Sequence, residues 1–78
     1  MTTLRLFATV RVAAGTGKAT FDGETVGDIL DAATLAYGDG FAELIPTCRI
    51  WVNGQTADRA TSVADGDEVA LLPPVSGG

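Results

Sequence analysis

The feature that most restricts how this 78-residue chain can fold is one well-marked amphipathic helix, encoded by "TVGDILDAATLAYGDG". Thr25 is a suitable N-cap, with Asp28 three residues later as in a capping box, and Gly38 stands where a C′ glycine would end the helix. Apolar residues recur at helical spacing on a face that excludes Asp28 and Asp31; they are Val26, Ile29, Leu30, Ala33 and Tyr37. A helix with one apolar face has to bury it against a second layer, which the flanking segments must supply.

The segments around this helix have the patterns of β-strands. We expect strands at Thr3–Ala8, Lys18–Asp22, Cys48–Val52 and Glu68–Leu72, and a brief strand, "QTAD", after an Asn53-Gly54 hairpin turn. Gly15 and Gly17 predict a turn that joins the first two strands as a hairpin, and Phe41–Ile45 predicts a short turn of helix. This order predicts an α+β architecture, in which one main helix covers a mixed sheet within a domain of residues 1–72.

Charge and composition argue against several classes of function. The net charge is −5, with ten acidic and five basic residues, which argues against nucleic-acid and anionic-membrane binding. There is no histidine and one cysteine, Cys48, so neither a histidine-based catalytic arrangement nor an internal disulfide is expected. We interpret Cys48 as a small core residue and "DGDE", residues 65–68, as a turn that lacks the calcium-ligand pattern. We therefore expect no metal or cofactor bound by this chain, no stand-alone enzyme, and a cytoplasmic location.

The chain ends in "LLPPVSGG", which adds little to a packed core. Pro73 and Pro74 have no N–H with which to extend a ladder, so the chain should leave the sheet as a stiff, extended segment. Gly77 and Gly78 have no side chains and fit a tunnel too narrow for a Cβ atom. At about 3.3 Å per residue, the tail of residues 73–78 would reach about 20 Å from the domain. The terminal carboxylate is then the reactive group, provided that a partner first activates it, for instance as an adenylate.

Four stretches together resemble the MoaD/ThiS family of ubiquitin-like sulfur carriers: "LFATVR", "TVGDIL", "WVNG" and "DGDEVALLPPVSGG". The resemblance covers essentially the whole chain and implies a ubiquitin-like β-grasp fold with an extended carboxyl-terminal tail. Within the family, "PPVSGG" is more similar to the small subunit of molybdopterin synthase than to the thiamine carrier.

The resemblance also implies a role for each residue of the tail. Gly78 would be adenylated with ATP by a ubiquitin-activating-type adenylyltransferase and converted to a thiocarboxylate with sulfur from a sulfur donor enzyme. At the large subunit of molybdopterin synthase, that sulfur would pass to a pterin precursor. Partner binding would involve the rest of the tail and an apolar patch, comprising Gly77, Ser76, Val75, Pro74, Pro73, Leu72 and Phe7. The chain would then donate sulfur, while the catalytic pocket belongs to its partner.

Three other functions remain open. A protein modifier joined through Gly78 to lysines of other proteins would share the fold and the tail, and Lys18 is the only lysine of this chain. The same sulfur chemistry would also serve thiamine or cysteine synthesis. In a plain interaction domain the tail would be incidental, so deletion of Gly78 should be harmless there and abolish function in every other case.

Overall fold

In the computed structural model, which describes residues 1–74, the chain forms five strands and three α-helices. In chain order they are β1 (Thr2–Leu6), α1 (Ala8–Ala14), β2 (Lys18–Phe21), α2 (Val26–Tyr37), α3 (Asp39–Leu44), β3 (Arg49–Val52), β4 (Gln55–Thr56) and β5 (Glu68–Leu72). A 3₁₀ turn, Ile45–Thr47, links α3 to β3. All the predicted strands are present, and their ends lie within two residues of the predicted positions.

The strands form one mixed sheet in the order β2-β1-β5-β3-β4. The first and last strands, β1 and β5, are parallel neighbours at its centre, with Leu6 opposite Leu71. The other three pairs, β1 with β2, β5 with β3 and β3 with β4, are antiparallel. This topology confirms the predicted α+β, β-grasp architecture. Because β5 is the central strand, the chain leaves the sheet between β1 and β3.

Helix α2 begins as its sequence predicts, with a complete capping box. The Thr25 hydroxyl accepts a hydrogen bond from the Asp28 amide at 3.2 Å, and the Asp28 carboxylate accepts from the Thr25 amide at 3.3 Å. The Val26 amide donates to the Thr61 carbonyl at 2.9 Å, so the loop before β5 also covers this helix end. These bonds satisfy amides that a helix start leaves without intrahelical partners, and they join the helix to a segment distant in sequence.

The hydrophobic core lies between the helices and one face of the sheet. Its buried members are Leu4, Leu6, Val10, Val26, Ile29, Leu30, Ala33, Phe41, Ile45, Val63, Val69 and Leu71. Along β5, buried Val69 and Leu71 alternate with Ala70 and Leu72, which are partly accessible. Side chains at alternate positions of a strand point to opposite faces, so Ala70 and Leu72 lie on the sheet face opposite the core.

Between β1 and β2, helix α1 stands where the sequence predicted only a turn, although the two strands pair antiparallel as predicted. Helix α1 buries Val10 completely and packs Ala14, one turn later, against the core, whereas Val12 is 81% exposed. Gly15 ends the helix in the left-handed conformation, with φ of 77°. The sequence pattern gave no signal for this helix, but burial of Val10 against the core favours it, because tertiary packing overrides weak local preferences.

The predicted helical turn at Phe41–Ile45 is part of a longer element, because α3 already begins at Asp39. Phe41 is fully buried and packs edge-to-face on Tyr37, with 5.2 Å between the ring centroids. This contact fixes α3 against the end of α2.

We expect Gly23→Ala to destabilise the fold by about 1 kcal/mol or more, the usual cost of a lost helix cap. A Cβ atom at Gly23 would lie 2.7 Å from Cβ of Asp28, so the capping side chain would have to move. The matched control is Gly40→Ala in α3, where a Cβ meets no atom within 4 Å, and where helix propensity favours alanine by up to about 1 kcal/mol. Urea denaturation of both variants measures the difference. Equal effects at the two sites would contradict the assigned role of Gly23.

Candidate docking site

Four of the predicted site residues are described by the structure, and they lie together at the end of the sheet where the parallel strands β1 and β5 both finish. Because the two strands are parallel and end in register, Phe7 and Leu72 leave the sheet at this same edge. Phe7 is 36% exposed, Leu72 and Pro73 are half-buried, and Pro74 is exposed. The roles predicted for Val75, Ser76, Gly77 and Gly78 concern residues outside the described part of the chain.

Leu72, Pro73 and Pro74 line an open groove of ≈ 460 Å³ together with Arg49 and Trp51. We call this set of five residues the docking groove. Arg49 lies opposite Leu72 in the antiparallel pairing of β3 with β5, and Trp51 lies opposite Ala70. Side chains directly opposite on one face are in contact range, so the indole borders the path by which the chain leaves the sheet.

Arg49 and Trp51 line this groove, but the sequence-based prediction did not include them. Along β3 they alternate with Ile50 and Val52, which pack against the core, so period-two alternation already indicates that they face away from it. A tryptophan on the non-core face of a strand is a signal for binding, because aromatic residues are enriched at interface cores. The residues that lie beside Trp51 on the neighbouring strand depend on the strand register, which could not be predicted from the sequence.

Phe7 lies on the other side of the point where the chain leaves the sheet. The Arg5 guanidinium carbon is 5.6 Å from the centroid of the Phe7 ring, within the range of a cation–π contact. Arg5 also forms an exposed ion pair with Glu68, at 3.7 Å between nitrogen and oxygen. An exposed ion pair of this kind contributes little to stability, so Arg5 remains available to another anionic group.

At the opposite end of the sheet, the β3–β4 turn is tied to the turn that precedes β5. The Asn53 side-chain amide donates to the Asp67 carboxylate at 3.0 Å, and the Ala64 amide donates to the same carboxylate at 2.8 Å. These hydrogen bonds, that from Asn53 foremost, lower the pKa of Asp67 below its ordinary 3.8. The acidic "DGDE" segment is therefore occupied by turn contacts, as its interpretation as a turn predicts.

The lowered pKa of Asp67 predicts a pH-dependent contribution to stability. Because the folded-state pKa lies below the unfolded one, the contribution is present above about 4 and is lost as the pH falls through the folded-state value. We expect the difference in unfolding free energy between the wild type and Asp67→Asn to shrink as the pH falls from about 5 to about 2.5. Urea midpoints at a series of pH values measure it, and a pH-independent difference would contradict the assignment.

The surroundings of Cys48 are those of a core residue. The Cys48 thiol donates to the Leu44 carbonyl at 3.2 Å and packs against the core, and its burial raises the pKa of the Cys48 thiol. A thiol with a raised pKa is a weak nucleophile at neutral pH, in agreement with the interpretation of Cys48 as a core residue.

Within the described chain, no three Cys, Asp or Glu side chains cluster as metal ligands would. None of the described helices has the length and apolar character needed to cross a bilayer.

The sequence match to a known family covers nearly the whole chain. A model described as the ThiS family matches residues 4–78. The chain belongs to the ThiS family. This ThiS-family chain thus has the ubiquitin-like sulfur-carrier fold that its sequence motifs predicted, and its docking groove includes the two prolines that directly follow the last strand.

Individual relatives of this ThiS-family chain differ in the function that their names describe. It is 41% identical to small archaeal modifier protein 1 of Haloferax volcanii, over 95% of this chain and 97% of the relative. The solution structure of small archaeal modifier protein 1 from Methanosarcina acetivorans matches with a TM-score of 0.89 at 32% identity, covering 99% of this chain and 95% of that one. A chain in the complex of subunits 1 and 2 of molybdopterin-converting factor from Helicobacter pylori matches with a TM-score of 0.71 at 27% identity, covering 99% and 97%.

Proposed function

We propose that this chain is a sulfur carrier whose Gly78 carboxylate is activated by a partner enzyme and converted to a thiocarboxylate, and that the sulfur is delivered to a pterin precursor in molybdopterin synthesis. The observation that carries the proposal is the direct continuity of β5 with the Pro73-Pro74 exit beside the docking groove. Membership of a sulfur-carrier family and a sequence that ends in Gly77-Gly78 support it further.

In this proposal the chain supplies one reactive group and its partners supply the rest. The Gly78 carboxylate attacks the α-phosphate of ATP on a ubiquitin-activating-type adenylyltransferase, which releases pyrophosphate and leaves an acyl adenylate. Hydrosulfide supplied by a sulfur donor enzyme then attacks the acyl carbon and displaces AMP, which gives the thiocarboxylate. Because this chemistry consumes ATP, the proposal places the protein in the cytoplasm.

The docking groove explains how a small domain presents its end to two successive partners. An apolar groove with one tryptophan and one arginine has the composition of an interface core. Pro73 and Pro74 restrict the backbone at the exit, so less conformational entropy is lost when this segment binds in a partner's active site. In this proposal the large subunit of molybdopterin synthase uses the same groove. The similarity to a chain in the Helicobacter pylori complex of molybdopterin-converting factor subunits supports a protein partner of this kind.

A second candidate function is protein modification, and a specific observation favours it. The relative with 41% identity is named a small archaeal modifier protein, as is another from the same organism with 36% identity over 96% of both chains. The same acyl adenylate, attacked by a lysine ε-amine in place of sulfur, gives an isopeptide bond at Gly78. The two functions thus share the activation step and differ in the nucleophile that follows it.

The test is to incubate the full chain with the activating enzyme, ATP and a sulfur source, and to label the product with a thiocarboxylate-selective tag. We expect a tagged product from the wild type and none from the chain without Gly78. The deletion control is needed because replacing oxygen by sulfur changes the mass almost as much as oxidation at Met1 or Cys48 does. An untagged chain found joined to lysines through Gly78 would instead establish the modifier.

The destination of the sulfur is tested in cells that lack the chain. Loss confined to molybdenum enzymes is the expected result, whereas a requirement for thiamine or cysteine would assign the sulfur to those pathways and overturn the molybdopterin proposal.

A further inference from the structure

The positive charge of this acidic protein is concentrated at one place. Of its five basic residues, Arg5, Arg11 and Lys18 line one open pocket of ≈ 440 Å³ together with Thr16 and Gly17. We call the site formed by the three basic side chains the cationic pocket. None of the ten acidic residues precedes Asp22 in the sequence, so the segment that builds the cationic pocket has no acidic side chain of its own.

The fold itself brings these three side chains together. In the antiparallel pairing of β1 with β2, Arg5 lies directly opposite Lys18. Arg11 comes from α1 and lies over Gly17, where a Cβ atom would be only 3.2 Å from its Nε. Glycine at this position therefore leaves room for the guanidinium group beside the Arg5–Lys18 pair.

This arrangement has an electrostatic cost that a bound anion would remove. Like charges directly opposite each other on a sheet are destabilising. Arg5 has the weak ion pair with Glu68, but within residues 1–74 neither Arg11 nor Lys18 forms one. The cationic pocket is thus a site of unbalanced positive charge on a protein of net charge −5.

The cationic pocket is continuous with the edge at which the tail begins. Phe7 and Leu6 also line it, and Leu6 pairs with Leu71, the residue before Leu72 of the docking groove. The point where the chain leaves the sheet therefore has an apolar groove on one side and concentrated positive charge on the other. A partner that receives the tail would meet both surfaces.

We propose that the cationic pocket binds a short acidic segment, with two or three neighbouring Asp or Glu carboxylates, on the protein that receives the tail. This inference rests on the proposed function, since it names the chemistry by which the tail-receiving partner is recognised. Complementary charge at the rim of an interface speeds association and selects partners. A long polyanion such as nucleic acid is disfavoured, because it would extend beyond the cationic pocket over a surface that carries ten acidic residues.

The first test is an NMR titration of the full chain with N-acetylated octaglutamate, using octaglutamine as the neutral control. We expect amide shifts centred on Arg5, Arg11 and residues 16–18, with affinity that falls between about 20 mM and about 300 mM NaCl as screening increases. Shifts centred on Arg49 or Arg59 would overturn the proposal. Inorganic phosphate that produces the same shifts at the same concentration would also overturn it, in favour of a site for free anions.

Charge-reversal variants distinguish the effect of the cationic pocket on binding from the effect of the net charge of the molecule. Lys18→Glu is expected to weaken octaglutamate binding by about tenfold or more, and Arg11→Glu to do the same. Arg59→Glu changes the net charge equally, but Arg59 lies elsewhere, bonded to Asp31, and we expect a change of less than about twofold. Equal weakening by Lys18→Glu and Arg59→Glu would overturn the proposal.

The partner is identified by enzyme kinetics. With the activating enzyme, Lys18→Glu should raise KM for the chain by about tenfold at low salt and leave kcat unchanged, because Gly78 is untouched. An unchanged KM would overturn the assignment to a tail-receiving partner.

The NMR titration does not depend on Gly78, and the chain that lacks Gly78 should bind octaglutamate as the wild type does. Failure of the cationic pocket and failure of the sulfur-carrier proposal are therefore distinguishable.

Discussion

Replacing Leu30 by alanine is expected to lower the free energy of unfolding by about 2–5 kcal/mol, the range for deletion of a fully buried leucine side chain. Leu30 lies in α2 and is completely buried in the core between helix and sheet. Since a domain of this size has a total stability of about 5–15 kcal/mol at most, a large part of the population would unfold under mild denaturing conditions.

Leu35→Ala is the matched control, because it removes the same atoms from the same helix. Leu35 is 89% exposed, so we expect a change within about 0.5 kcal/mol. Urea denaturation followed by circular dichroism measures both variants. Comparable losses at the two positions would mean that α2 does not bury the face described above.

The second large effect is expected at Trp51, the only tryptophan of the chain. Truncation of an aromatic anchor at an interface costs about 2 kcal/mol or more, so Trp51→Ala should raise KM for this chain in the adenylation reaction by about thirtyfold or more. In the proposed function the reacting carboxylate is that of Gly78 and the docking groove contributes binding only, so the value of kcat should stay the same.

Leu35→Ala serves again as the control, since it removes an exposed apolar side chain from a different surface. Circular dichroism should show that Trp51→Ala remains folded, because Trp51 is absent from the buried core. A loss of kcat with an unchanged KM would contradict a docking role for Trp51. Its fluorescence in the wild-type chain offers a direct binding signal for the same partner.

Two local predictions succeeded because they describe contacts between residues close in sequence. The capping box of α2 joins Thr25 and Asp28, and the Asn53-Gly54 turn joins the adjacent strands β3 and β4. Such features depend on hydrogen bonds and periodic side-chain patterns within a few residues, so they can be recognised without the rest of the fold.

The failure at α1 shows where local patterns are insufficient. Val10 and Val12 are equally apolar, so the local pattern does not distinguish them, yet the structure buries one and exposes the other. Packing decides between the two residues, because the core contacts the Val10 side chain and leaves the Val12 side chain exposed. A segment of seven residues has too little intrinsic preference to resist that packing.

The sequence by itself determined the order of most elements and the family to which the chain belongs. The tertiary structure decided which further residues flank the end of the last strand, beyond those that the sequence motifs had suggested. Trp51 and Arg49 reach the docking groove through the register of β3 on β5, and Lys18 meets Arg5 through the register of β2 on β1. Register depends on which faces of distant segments are buried together, and that information belongs to the assembled sheet and not to any one stretch of the chain.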